Sequence, residues 1–175
     1  HAIKPKKIPK ELNEIFQLIV DSGKRTLVLF EVEGKDGPVE VLLNGQKWSA
    51  PVSELPKVGS TEEWEFVNLT QDTHPMHLHL VQFQICNRQA FSVEDYRNDW
   101  IARNGEPPLD HPTEDLSVDQ YLIGNAVKPN DNEVGWKDTV RSNPGEVTRI
   151  KVRYAPLDIN PRLTTPGKNF YPFSP

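Results

Sequence analysis

Short strand-like segments, separated by turn signals, constrain the fold of this chain more than any other feature. Their apolar side chains either alternate or form nearly continuous runs, which is typical of β-strands buried on one or both faces. Sixteen prolines and ten glycines punctuate the 175 residues and leave little room for long helices. The segments are residues 26–32, 39–43, 46–49, 62–69, 76–87 and 147–154. Six or seven strands of this kind predict an all-β protein, an antiparallel β-sandwich.

Two of these segments carry specific expectations. Asn44-Gly45 is a strong hairpin signal because both residues tolerate positive φ, so the chain is expected to return over residues 46–49 and to bring Trp48 to the core. Residues 76–87 are expected to form one strand. In such a strand His77 and His79 point to the same face, because side chains alternate between the two faces.

The N-terminus and one long interior stretch show other patterns. Residues 1–24 predict an N-terminal arm or interdomain linker, or a short helix where the apolar positions 12, 15, 16 and 19 fall at helical spacing. Residues 91–135 are polar and rich in proline. Ser92 with Asp95 predicts the start of a short helix within them, which Gly105 ends. A stretch of this length is either a functional lid or a solvated surface insertion.

Composition argues against several classes of partner. Twenty basic and twenty-five acidic residues give a net charge of −5, which disfavours nucleic acid or an anionic membrane as the main partner. No stretch approaches the ~20 apolar residues of a membrane span, and no signal peptide pattern opens the sequence. Because it begins with His1, the chain is expected to be cut from a longer one. Its single cysteine, Cys86, excludes an internal disulfide and is expected to be a small buried hydrophobe.

The chemistry of the chain concentrates in its histidines. Three of the five, His74, His77 and His79, lie within six positions. Imidazole is a preferred ligand of copper, zinc and iron. His77 and His79 leave the same face of a strand about 6.6 Å apart, which suits ligands of one metal or of two neighbouring metals. His74 precedes them across Pro75, which forces an extended chain, so it is expected to serve a separate site. The alternative is three structural or exposed histidines.

The segment THPMHLH at residues 73–79 resembles the histidine motif that opens the last pair of copper-binding segments in multicopper oxidases. Other segments narrow the resemblance to the third cupredoxin domain of bacterial spore-coat laccases, over residues 25–155. These segments are NGQKW (44–48), PKVGSTEEW (56–64), residues 79–91, GWKDTV (135–140) and PGEV (144–147). The resemblance implies that residues 25–175 form a cupredoxin-like Greek-key β-sandwich with a long loop insertion, missing its last strand.

The same resemblance implies roles for individual residues. His74 matches a ligand of the mononuclear type 1 copper, which takes electrons from the substrate. His77 matches a ligand of the type 2 copper and His79 a ligand of the type 3 pair, in the trinuclear cluster where dioxygen is reduced. Asp72 and Thr73 would border the type 1 site and the pocket of the reducing substrate, unless they form an ordinary turn. Asp138 is expected to be structural or to hold a ligand in place.

The chain also departs from the family pattern. A second motif, His-Cys-His, should follow, with a further histidine and a methionine. The chain ends at Pro175, where that segment should soon begin, and neither Cys86 nor Met76 matches its positions. We therefore expect an incomplete domain that is inactive alone. Its expected partners are the remaining cupredoxin domains and the C-terminal copper-binding segment of the same oxidase.

The intact enzyme is expected to bind copper at type 1, type 2 and type 3 sites, to oxidise phenolic or other aromatic electron donors, and to reduce dioxygen to water. The resemblance implies the spore coat or the cytoplasm as its location. Two alternatives remain. A cupin-like single-metal enzyme usually carries a glutamate shortly after its His-x-His, where this chain has Phe83 and Gln84. A non-catalytic copper-binding or coat-assembly module would use the sandwich as an interaction surface, and its exposed sheet edge would favour self-association.

Overall fold

Strands dominate residues 17–154, which are the residues that the computed structural model describes. The all-β prediction is confirmed. The residues of the expected N-terminal helix before position 17, and the proline-rich tail after position 154, lie outside the described range. In chain order the elements are β1 (Lys24–Gly34), β2 (Gly37–Leu43), β3 (Thr61–Asn68), β4 (His74–His77), β5 (Phe83–Phe91), α1 (Val93–Asn104), β6 (Leu122–Val127), β7 (Trp136–Lys137), β8 (Thr139–Ser142) and β9 (Glu146–Arg153). Single 3₁₀ turns occupy Asp119–Tyr121 and Asp131–Glu133.

The strands form one large sheet and one small one. The large sheet has seven strands in the order β2-β1-β3-β9-β5-β6, with β7 also paired to β5, and the small sheet consists of β4 and β8. One pairing differs from the prediction of a wholly antiparallel sandwich, because β1 and β3 run parallel. The connection over residues 44–60 carries the chain back to the start of β1, so β3 enters the sheet in the same direction.

Apolar side chains on the two faces of the large sheet build two cores. Val28 and Phe30 of β1 face the core that α1 covers, whereas Leu27 faces the core under β4 and β8. The second core is formed by Leu27, Trp64, Phe66, Phe83, Ile85, Val140, Ile150 and Val152. This alternation is the reason why β1 is a continuous apolar run. The small sheet, which carries the histidines, is therefore fixed onto the large one by buried aliphatic and aromatic side chains.

The interior stretch over residues 91–135 is folded onto the domain. Helix α1 begins after Ser92, whose hydroxyl donates to the Asp95 carboxylate at 2.5 Å, and ends at Gly105 with φ of 94°, as predicted. Tyr96 and Trp100 of α1 are completely or almost completely buried. The alternative of a purely solvated insertion is therefore wrong for the helix. Strand β6, at the edge of the large sheet, was not predicted.

The turn predicted at Asn44-Gly45 is present, but the prediction of a returning strand over residues 46–49 is wrong. Both residues have positive φ, 51° and 68°, but the returning chain makes only a single bridge between Leu43 and Gln46. Trp48 is fully exposed, so the prediction that it enters the core is wrong. After the turn the chain runs toward the insertion, where the Leu109 amide donates to the Gly45 carbonyl at 2.7 Å. The hairpin partner of β1 is β2, joined to it between Gly34 and Gly37.

The predicted single strand over residues 76–87 is two strands in different sheets. The break lies in the non-strand segment 78–82, where Leu80 has φ of 68°. His77 is exposed and Phe83 is buried, although both have the same parity, because the two strands belong to different sheets. Cys86 is half-buried on β5 at an irregularity in its pairing with β9, and burial raises the pKa of its thiol to about 11.

The described part of the chain contains no helix that is both long and apolar enough to span a lipid bilayer.

Candidate metal centre

Strand β4 places His74 and His77 on two different faces. It pairs with β8 so that His74 lies opposite Ser142 and His77 opposite Thr139. Positions 74, 76 and 78 are half-buried, whereas positions 75, 77 and 79 are exposed. His74 therefore points inward and His77 outward, since their positions differ by an odd number. That His74 serves a metal site apart from the other two histidines stays a prediction.

His74 is held through its Nε2 atom. This nitrogen lies 2.7 Å from the Thr70 hydroxyl and 3.3 Å from a carboxylate oxygen of Glu31 on β1. A carboxylate is only an acceptor when ionised, so the neutral ring carries its hydrogen on Nε2. The lone pair of His74 is then on Nδ1, which is the nitrogen left to bind a metal ion.

His77 is held through the other ring nitrogen. Its Nδ1 atom lies 2.9 Å from the backbone carbonyl of Asp138 and 3.1 Å from the Thr139 hydroxyl. A carbonyl only accepts, so Nδ1 carries the hydrogen and Nε2 has the lone pair. The same Asp138 carbonyl also accepts the Leu78 amide at 3.1 Å. Metal-ligating histidines typically have one nitrogen held in this way, which fixes the orientation of the ring.

His79 lies beside His77 even though β4 has already ended. The two ring centroids are 5.1 Å apart and the rings meet edge to face. Both side chains are exposed on the outer face of the small sheet. Two adjacent imidazoles on an exposed surface can contribute to one metal site or to two neighbouring sites, as the spacing predicted.

The remaining predicted residues surround these histidines in different ways. Asp72 and Thr73 are exposed in the turn before β4, and the Asp72 carbonyl accepts a hydrogen bond from Asn68. Asp138 acts on His77 through its backbone carbonyl, while its carboxylate accepts the Thr139 hydroxyl at 3.0 Å. Met76 packs against the second core. Within residues 17–154 no three His, Cys, Asp or Glu side chains converge to hold a metal ion.

The comparison with protein families identifies the chain. The family described as multicopper oxidase matches residues 21–158, which is most of the sequence. The chain belongs to the multicopper oxidase family. Membership implies copper cofactors in the intact enzyme, and the imidazole nitrogens of β4 are donors that suit copper. The match favours the oxidase prediction over the cupin-like alternative.

Several multicopper oxidases resemble the chain over most of its length. It is 38% identical to a laccase of Bacillus subtilis (strain 168) over 132 residues, which is 75% of this chain and 22% of that protein. It is 33% identical to the multicopper oxidase LPR1 of Arabidopsis thaliana over 174 residues, 96% of this chain and 27% of that protein. A crystal structure of a multicopper oxidase from Pediococcus acidilactici superimposes with a TM-score of 0.52 at 26% identity, covering 88% of this chain and 26% of that one. The chain thus spans about a quarter of the length of these relatives.

Sequence reasoning missed Thr70 and Glu31, which contact the His74 ring, and Asn68, which holds Thr70. Glu31 lies on another strand, and nothing in the sequence connects it to the histidine motif. Asn68 and Thr70 do carry a local signal, because Asn and Thr side chains often hydrogen-bond the backbone two residues further on. In this chain Asn68 and Thr70 precede His74, the first histidine of the motif, by six and four residues.

Proposed function

We propose that the chain is the third cupredoxin domain of a laccase-type multicopper oxidase of the spore-coat group, which oxidises phenolic and other aromatic donors. The observation that supports the proposal is that two motif histidines point to opposite faces and are hydrogen-bonded through different ring nitrogens. His74 faces inward with Nε2 held, and His77 faces outward with Nδ1 held. Two ligands presented in this way serve two different metal sites.

The proposed assignment follows from this division. His74 would contribute Nδ1 to the type 1 copper, His77 would contribute Nε2 to the type 2 copper, and His79 would serve the type 3 pair. When bound, the coppers supply one-electron oxidation of the donor and reduction of dioxygen to water. The residues of this chain orient the three rings, and the second core beneath the small sheet keeps the strand that carries them rigid.

The positions of the motif residues support the proposed partners as well. His77 and His79 are exposed together, so ligands from the other cupredoxin domains can approach the same face. Asp72 and Thr73 are exposed beside the half-buried His74, which suits residues that border the pocket of a reducing substrate. The C-terminal copper-binding segment of the same oxidase would complete the type 1 site.

Copper titration of the 175-residue chain tests the proposal. We expect weak Cu²⁺ binding that falls on the order of 10–100-fold in the double variant His77→Ala/His79→Ala. His111→Ala is the matched control, because His111 is exposed but lies in the insertion, where its Nε2 contacts the Asn104 carbonyl. Isothermal calorimetry and visible spectra record the binding, and the intense blue absorption of a type 1 copper is absent.

Two results would contradict this picture. An intense blue band on adding copper to the chain alone would show that it completes a type 1 site from its own residues. Equal Cu²⁺ affinity in the wild-type chain and the double variant would show that His77 and His79 do not form the accessible part of a copper site.

A further inference from the structure

We propose that Asn68, Thr70 and Glu31 are positioning residues that fix the ring of His74 with its hydrogen on Nε2 and its lone pair on Nδ1. The inference rests on the proposed role of His74 as a copper ligand and extends it to residues that touch no metal. The three side chains come from the end of β3, the turn after it, and β1. They lie close together because β1 and β3 are adjacent strands of the large sheet, and His74 reaches them because the small sheet packs against it.

Asn68 is the centre of this arrangement. Its side chain is fully buried, and its Nδ2 group donates to the carbonyls of Asp72 and Ser142, both at 2.9 Å. Its Oδ1 atom accepts the Thr70 amide at 2.9 Å and the Thr70 hydroxyl at 2.8 Å. The two carbonyls fix which end of the amide faces them, since carbonyls only accept. Asn68 thereby joins β3, the turn before His74, and β8.

Thr70 links Asn68 to His74 through hydrogen bonds of its hydroxyl group. Its hydroxyl has one hydrogen, and the Asn68 Oδ1 atom at 2.8 Å and the Asp72 carbonyl at 3.1 Å are both acceptors for it. When the hydroxyl donates to either of them, its oxygen accepts from the Nε2 atom of His74, 2.7 Å away. The Glu31 carboxylate near the same nitrogen accepts only, and it is this contact that places the hydrogen on Nε2.

Glu31 approaches the same nitrogen from the large sheet. Its side chain is only 6% exposed, and one carboxylate oxygen lies 3.3 Å from His74 Nε2. The Nε2–H group thus lies between a hydroxyl and a carboxylate, so turning the ring over loses both contacts. A histidine that donates to a carboxylate is a stronger ligand through its other nitrogen. Glu31 is expected to strengthen the Nδ1 donor as well as to orient it.

Nuclear magnetic resonance of the metal-free, ¹⁵N-labelled 175-residue chain tests the inference. At about pH 7.5, we expect a slowly exchanging ring N–H of His74 on Nε2. Thr70→Val removes the acceptor without changing the side-chain shape, and we expect about tenfold faster exchange of that hydrogen. Thr70→Ser restores the hydroxyl and with it the slow exchange.

Thr139→Val is the matched control, because it removes the hydroxyl beside His77 and leaves His74 untouched. If the His74 hydrogen lies on Nδ1, or if Thr70→Val leaves its exchange unchanged while the backbone spectrum stays folded, the inference is wrong. If Thr70→Val does not fold, Glu31→Gln is measured in its place, with the same expectation of faster exchange. These measurements need no copper, so a negative result here can be distinguished from a failure of the proposed copper sites.

A second measurement uses the copper-loaded full-length enzyme. Glu31→Gln removes the negative charge at Nε2, so we expect a higher type 1 reduction potential. Glu33→Gln removes an equal charge from an exposed position two residues along the same strand. A shift for Glu31→Gln that does not exceed the shift for Glu33→Gln would overturn the proposed role of Glu31.

Discussion

The hydroxyl of Ser142 is buried next to His74, its register partner, and within residues 17–154 it has no hydrogen-bond partner. An unsatisfied buried hydroxyl costs about 1–3 kcal/mol. We expect Ser142→Ala to raise the free energy of unfolding of the chain by about 1 kcal/mol, measured by urea denaturation.

Ser60→Ala is the matched comparison. Ser60 is also buried, but its hydroxyl donates to the Lys57 carbonyl at 2.7 Å. Its removal should lower the free energy of unfolding by about 1 kcal/mol. Changes of the same sign in the two variants would contradict the claim that only one of these hydroxyls is unsatisfied.

At the same scale, the motif residues themselves could be read from the sequence. The spacing of His74, His77 and His79 placed the last two on a common face, and the rings do lie together. The parity rule failed between His77 and Phe83, because the break between two strands of different sheets is not visible in an apolar alternation. Contacts of His74 with residues of distant strands, such as Glu31, depend on how the two sheets pack and could not be predicted from the sequence.

At the scale of elements, a buried ion pair attaches β8 to the large sheet. Arg88 of β5 donates to both carboxylate oxygens of Glu133, at 2.8 and 2.7 Å, and also to the Arg141 carbonyl of β8. Both side chains of the pair are 9% exposed. Since β8 carries Thr139 and pairs with β4, this ion pair also supports the strand of the histidines.

The same pair predicts an acid-sensitive stability. Hydrogen bonds from Arg88 lower the pKa of Glu133 to about 2. A lowered carboxyl pKa stabilises the fold above the unfolded-state value, about 4.3, and this contribution disappears as the pH falls toward 2. We expect the free energy of unfolding to drop by about 3 kcal/mol over this range through Glu133 alone.

Glu133→Gln tests that expectation by urea denaturation at several pH values. The variant should be less stable at neutral pH by about 3 kcal/mol, since it leaves the Arg88 guanidinium buried without a charged partner. Its stability should change less between pH 4.5 and 2 than that of the wild-type chain. An equally steep acid dependence in both proteins would exclude Glu133 as the titrating group.

Elements governed by local chemistry were predicted from the sequence, and elements governed by distant contacts were not. Strands β1, β3 and β9 and helix α1 follow apolar runs and capping residues close to where these predict them. Strand β6 carries no buried side chain and is held by its pairing with β5, which no apolar pattern in the sequence predicts. Trp48 leaves the core because the insertion, rather than a returning strand, receives the chain after Gly45.

At the scale of the whole molecule, self-association through a sheet edge remains a prediction. Strand β2 is an edge strand of the large sheet, and its Val39 and Val41 side chains are exposed. Unpaired edges with apolar side chains favour association, and a lysine on the edge opposes it. We expect the chain to associate with increasing concentration in sedimentation experiments, and Val41→Lys to reduce this association.

Val127→Lys is a comparison at the other edge, where Val127 of β6 is also exposed. A larger effect of Val41→Lys assigns the association to the β2 edge. If the chain stays monomeric at all concentrations, the prediction of self-association through a sheet edge is wrong.

We propose that His74 belongs to one copper site and that His77 and His79 belong to another. Visible spectra and oxygen consumption of the copper-loaded full-length oxidase distinguish the two sites, with His111→Ala as the control. We predict that His74→Ala loses the blue type 1 absorption, and that His77→Ala/His79→Ala keeps this absorption but consumes no oxygen. A blue band that survives in His74→Ala, or that disappears in the double variant, would contradict the claim.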